Sequence, residues 1–115
     1  MKTFQITRQL FDMDIIAWVL QLDKGIHISV CEGQLSHIGA VSMIDFSGKC
    51  STMQFLGHKE GILTERWAKK LAALGRIPVV IEAGIHYDHL SAEGITAVMQ
   101  LTDSMLEDVL LALSE

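Results

Sequence analysis

The sequence predicts an α+β fold: a mainly antiparallel sheet of about five or six strands in the N-terminal half, then a helix–strand–helix tail packed on it. Three observations predict it. Up to residue 56 the apolar residues fall in five short runs with a period of two, the period of the pleat, broken by turn residues. After residue 60 the period changes to that of a helix, twice, with one short apolar run between. The first five runs are too closely spaced for parallel crossovers, which need about a dozen or more residues between strands, so antiparallel hairpins are favoured.

The elements follow in order. Residues 3–11 set Phe4, Ile6 and Leu10 on one face and Thr3, Gln5, Thr7 and Gln9 on the other. Residues 14–22 are apolar on both faces, with Ile15, Ala17 and Val19 opposed to Ile16, Trp18, Leu20 and Leu22. That pattern predicts a central strand covered on both sides. Asp23-Lys24-Gly25 is a tight hairpin turn. Residues 26–32 alternate cleanly, Ile26, Ile28 and Val30 inward against His27, Ser29 and Cys31. After a connector at 33–36, residues 38–46 and 49–56 read as two more strands joined by Ser47-Gly48.

Leu63, Trp67, Leu71 and Leu74, spaced 4, 4 and 3, then mark one face of a helix. Gly75 suits its left-handed C-terminal cap, Lys69 and Lys70 sit in the last turns, and Pro78 opens a short buried strand through residue 81. Ser91 is the N-cap of a second helix whose stripe runs Ile95, Val98, Met99, Thr102, Met105, Leu106, Val109, Leu110 and Leu113. At about 22 residues this helix is roughly 33 Å long. A long core helix is the plain explanation. A stripe shared with a second subunit is the other, and it is the ground for expecting a homodimer.

The chain has 115 residues, 50% of them hydrophobic and 20% charged, with one Pro and nine Gly. That excludes disorder and low complexity and predicts one domain over residues 1–115. The net charge of -5 sets a field that repels nucleic acid and anionic membranes, so neither is an expected partner. No apolar run approaches the roughly 20 residues of a membrane span. The N-terminus has no apolar signal-peptide core, and Cys31 and Cys50 show no metal or redox spacing. The expectation is a cytoplasmic protein with reduced thiols. Residues 57–76 hold five basic residues against two acidic, whereas residues 82–115 hold seven acidic and no Lys or Arg. The first helix is therefore the one basic surface, too small for nucleic acid but fit for a compact anion.

Three segments join Gly to His at element boundaries: Ser36-His37-Ile38-Gly39, Gly57-His58-Lys59-Glu60, and Gly84-Ile85-His86-Tyr87-Asp88-His89. A helix start offers unpaired N–H groups, Gly57 permits close backbone approach, and Lys59 adds charge, which together suit a phosphate or carboxylate. Taken singly, each segment reads better as a turn, a bulge or a cap than as a site. Together, His37, His58 and His86 at one end of a sheet would hold a divalent metal with an open position, and a phosphate would bridge metal and helix. His27 lies mid-strand and reads as structural. No catalytic constellation stands out: G-x-S-x-G, a Walker loop and a dinucleotide fingerprint are all absent.

The segments His37-Ile38-Gly39-Ala40-Val41, Gly57-His58-Lys59-Glu60 and Gly84-Ile85-His86-Tyr87-Asp88, in this order, resemble the prenylated-flavin chaperone-like family, the small accessory D subunits of gallate-type decarboxylases. The resemblance covers nearly the whole chain, from about residue 10 to 113. It implies a non-catalytic accessory protein that binds prenylated flavin mononucleotide (prenylated FMN) and serves a decarboxylase dependent on that cofactor. The cofactor-binding positions it implies are His37, Gly39, Gly57, His58, Lys59, His86 and Asp88. A metal-assisted contact would use His37, His58 and His86. The chain departs from the family's pattern after Asp88, where His89 stands in place of an expected Asn.

Two other functions compete. One is a small metal-dependent enzyme acting on a phosphorylated or carboxylated substrate through the same histidines. The other is a pure assembly module docking through its last helix, for which changes at Val109 and Leu113 would dissociate a partner without unfolding the chain.

Overall fold

The computed structural model describes residues 1–56, 60–86 and 90–113. The strands are β1 (Lys2–Leu10), β2 (Met13–Leu22), β3 (Gly25–Glu32), β4 (Ala40–Ile44) and β5 (Cys50–Gln54). Helix α1 (Gly61–Ala73), strand β6 (Val79–Gly84) and helix α2 (Ala92–Leu113) follow. The α+β class and the helix–strand–helix tail are as the periodicity predicts. All eight elements form one sheet of order β1-β2-β3-β6-β4-β5 and two helices.

Among the described residues the one parallel pair is β3 with β6, in register Cys31↔Gly84. Neighbours β1/β2, β2/β3, β4/β5 and β4/β6 are antiparallel. β3 and β4 are consecutive in sequence but do not pair, because β6 sits between them. Its alternation of Val79, Ile81 and Ala83, all buried, gives it the most apolar inward face of the tail, which belongs at the sheet centre.

Both helices pack on one face. Ile15, Ala17 and Val19 of β2, Ile26, Ile28 and Val30 of β3, and Val79, Ile81 and Ala83 of β6 meet Leu63, Trp67 and Leu71 of α1 and Val98, Met105 and Val109 of α2. The stripe of α2 is therefore core: Val109 is buried and Leu113 is only 6% exposed. Changes there are expected to unfold the chain and so not to report on a partner.

The two-sided cover expected for β2 is corrected. Among the described residues no helix lies over the second sheet face, where the row Gln5, Trp18, Ser29, Glu82, Val41, Met53 crosses all six strands. Trp18 is 51% and Met53 66% exposed. Apolar residues on both sides of a strand mark a central position, but do not say what covers each side.

Phe11 is also not in a strand. Phe11 and Asp12 form the β1–β2 turn with φ of 52° and 62°, the paired left-handed geometry of a two-residue hairpin loop. Asn-Gly signals are absent there, so the strand pattern ran on past its end. The Ser47-Gly48 turn forms as expected. Asp45 accepts hydrogen bonds from the Ser47 hydroxyl and, at 2.9 Å, from the Ser47 N–H, which hold its carboxyl below the usual value.

The caps follow their sequence signals. Gly75, at φ 79°, closes α1 in a Schellman pattern, with Gly75 N–H on Ala72 O and Arg76 N–H on Leu71 O. The Ser91 hydroxyl accepts the Gly94 N–H at 3.0 Å and so caps α2. The basic surface of α1, by contrast, is matched by acids of α2: Arg66 pairs with Asp103, and Lys70 lies 3.9 Å from Glu107. Arg76 donates to the Leu113 carbonyl at 2.8 Å. These residues join the two helices.

Candidate functional site

The described Gly and His residues of these segments, His37, Gly39, Gly84 and His86, lie at one end of the sheet. The register Ala40↔Ala83 and Ala40↔Gln54 puts the entry of β4 beside the exits of β6 and β5. The parallel partner β3 ends there too, with Glu32. The ladder runs one residue further: Gly39 N–H donates to Ala83 O at 2.7 Å, and Phe55 N–H donates to Gly39 O at 2.9 Å. Crevices at the carboxyl ends of parallel strands are a common place for ligands in mixed sheets.

His37 and His86 meet at this end. Their ring centroids are 4.5 Å apart, with planes tilted by 34°. Nδ1 of His37 lies 2.8 Å from the Leu35 carbonyl oxygen, so it is the protonated nitrogen of that ring. Nδ1 of His86 lies 2.8 Å from Glu32 Oε1, and the His86 backbone N–H donates to Glu32 Oε2 at 3.1 Å. The Glu32 side chain is 10% exposed and that of His86 39%, so a buried carboxylate stands behind a half-exposed imidazole.

Gly84 makes the approach possible. A Cβ there would stand 1.8 Å from the His37 carbonyl oxygen and 2.6 Å from its carbon. Only a glycine lets the 37–39 backbone lie against β6.

The start of α1 is tied to the same edge. Gly61 N–H donates to Gln54 Oε1 at 2.9 Å, so a glutamine at the end of β5 satisfies a helix-start donor. Behind it, hydroxyls link sheet and helix: Ser42 Oγ, buried, lies 2.7 Å from both the Thr52 and the buried Thr64 hydroxyl, and Thr64 donates to Gly61 O. Glu60, just before α1, is 1% exposed.

Of the residues singled out from sequence, His37, Gly39 and His86 are together at this end. Gly57, His58, Lys59 and Asp88 lie outside the described residues, as do Tyr87 and His89. Their described neighbours, Leu56 and Glu60, His86 and Leu90, bracket them. Among the described residues no group of three His, Cys, Asp or Glu side chains is placed to hold a metal ion. His27, read as structural, pairs through Nε2 with Glu82 on the second sheet face.

Sequence reasoning missed Glu32, Gln54 and Glu60. For Glu32 a signal existed. It falls in phase with Ile26, Ile28 and Val30, so the period of two puts a carboxylate on the packed face, where it needs a partner. For Gln54 and Glu60 no local pattern separates them from exposed turn residues.

Comparison with known proteins agrees in one direction. Residues 9–114 match the family described as prenylated flavin chaperone LpdD-like domain. Protein LpdD of Lactiplantibacillus plantarum is 28% identical over 115 residues, covering 96% of this chain and 83% of that protein. Among solved structures, the chain resembles one in a chaperone complex for yeast 20S proteasome assembly, with a TM-score of 0.56 over 92% of this chain and 99% of that one. At 7% identity that likeness concerns the fold alone. No described helix is long and apolar enough to cross a membrane.

Proposed function

The chain belongs to the prenylated flavin chaperone LpdD-like family, and from that premise we propose that it holds prenylated FMN by its phosphate and supplies it to a prenylated-flavin-dependent decarboxylase. The observation that carries this reading is the His37–His86 pair, ring against ring at 4.5 Å, at the edge where two helices begin. The start of α1, tied through Gly61 to Gln54 at the same edge, offers N–H donors and positive potential to the phosphate, while His86, its Nδ1–H held by Glu32, uses Nε2 to accept from N–H and hydroxyl groups of the cofactor or to ligate a metal. Gly57, His58 and Lys59, which precede α1 in sequence, are the residues read to complete the anion site, together with Gly39 and Asp88. The protein acts as a single domain over residues 1–115, in the cytoplasm, and binds the cofactor without transforming it.

A divalent ion on His37, His58 and His86 belongs to the same reading. Its donor set fits in part: imidazole nitrogens suit zinc-like ions, and a carboxylate behind a ligating histidine raises its basicity. When bound, the ion would add positive charge beside the phosphate. The residues of the chain orient the cofactor either way.

The test is an anaerobic titration with reduced prenylated FMN, followed by the flavin's absorbance, on protein as purified and after dialysis against EDTA. A dissociation constant in the micromolar range or below is expected for the wild type. His58→Ala/Lys59→Ala and His86→Ala each weaken it by about 10- to 100-fold, the usual cost of losing a charged or ligand contact. Unchanged affinity in all variants defeats the site. Weaker binding after EDTA, restored by zinc, marks the metal.

The expected homodimer forms on the uncovered sheet face. Its two central rows carry Trp18, Leu20, Met43 and Met53, and their only titratable side chains, His27 and Glu82, pair with each other. A second copy therefore meets apolar surface without like-charge repulsion, despite the net charge of -5. Light scattering of Trp18→Lys is expected to read half the wild-type mass. An unchanged mass removes this face from the reading.

A further inference from the structure

Glu32 lies 54 residues from His86 in sequence, yet both its oxygens are engaged by that one residue, Oε2 by the backbone N–H at 3.1 Å and Oε1 by Nδ1 at 2.8 Å. The grip fixes more than position. A carboxylate only accepts hydrogen bonds, so the ring nitrogen facing it carries the proton. In neutral His86 the lone pair is then confined to Nε2, the nitrogen on the other side of the ring. The backbone contact holds the main chain at the exit of β6 while the ring contact sets the side chain, and the ring lies against His37. The carboxylate is 10% exposed, so water competes little for either bond.

We propose that Glu32 is the positioning residue of the site: it selects the Nδ1–H tautomer of His86 and so makes Nε2 the acceptor or ligand atom presented to the bound cofactor. The proposal rests on the reading that prenylated FMN binds beside His37 and His86. Glu32 itself touches neither cofactor nor metal; it acts through His86.

Glu32→Gln is the discriminating change because it keeps the shape and inverts the proton logic. The Gln carbonyl still accepts the His86 backbone N–H, but its amide NH2 then faces Nδ1. Nδ1 must become the acceptor, and the proton moves to Nε2. Spectra of 15N-histidine-labelled protein, recorded where the ring is neutral, are expected to show His86 as Nδ1–H in the wild type and Nε2–H in Glu32→Gln. The signals of His27, on the uncovered face, stay in place and report an intact fold. Affinity for reduced prenylated FMN falls about 10- to 100-fold in Glu32→Gln. In a His86→Ala background the same change costs nothing further, because the residue it acts through is gone.

A wild-type spectrum with His86 as Nε2–H overturns the proposal, and it does so without any variant. So does a Glu32→Gln loss that is the same size with and without His86. If His86→Ala leaves the affinity unchanged, the binding site itself is misplaced and the role of Glu32 falls with it. If His86→Ala weakens binding and Glu32→Gln does not, the site stands and the positioning role is wrong.

Discussion

Gly84→Ala is expected to abolish cofactor binding and to lower the melting temperature by roughly 10–20 °C, from a loss of about 3 kcal/mol. The clash is between fixed parts. The new Cβ would stand 1.8 Å from the His37 carbonyl oxygen, and both belong to backbone. The 37–39 segment cannot simply retreat. Gly39 donates to Ala83 at 2.7 Å on one side and accepts from Phe55 at 2.9 Å on the other. Relief requires parting the entry of β4 from β6, which breaks ladder bonds at the sheet centre and separates His37 from His86. Calorimetry and the flavin titration read the two effects together. A variant that melts within about 2 °C of the wild type, a shift of well under 1 kcal/mol, and still binds would show that the backbone approach is dispensable.

The second large effect is at Trp67. Its side chain is fully buried under α1 and is among the largest in the core. Trp67→Ala is expected to cost about 3–5 kcal/mol, the transfer energy of the ring plus the cavity it leaves. Trp67→Phe should cost within about 1 kcal/mol, because the indole carries a liability: Nε1–H is buried with no hydrogen-bond partner among the described residues. Phe keeps most of the ring contacts and removes the unmet donor. Urea unfolding midpoints of the two variants test this. Equal losses for Ala and Phe would mean that the indole nitrogen contributes to stability after all. Because Trp67 anchors the helix whose start is tied to Gln54 at the site, Trp67→Ala also weakens cofactor binding, while Trp67→Phe leaves it near the wild-type value.

Much of the fold is legible because its signals are local. Leu63, Trp67 and Leu71 lie on one face whatever they pack against, since the spacing is a property of the helix itself. Gly75 and Ser91 end and begin helices for reasons contained within a few residues. The site is half legible for the same reason. Gly beside His at a strand end is a local mark, and His37 and His86 carry it. Glu32 carries a weaker one, a carboxylate in phase with an apolar face, which asks for a partner without naming it.

The amino-acid pattern alone determined the element types, their order, the caps and which side of each strand is apolar, because φ/ψ preferences and side-chain periodicity act over neighbouring residues. The tertiary structure decided the rest. It placed β6 between β3 and β4, left the Trp18 face uncovered, neutralised the basic side of α1 with acids of α2, and brought Glu32 to His86. Each of these depends on which segments far apart in the chain come together. Which surfaces meet is settled by the competition of the whole sheet and both helices for one buried face, and no window of neighbouring residues contains that competition.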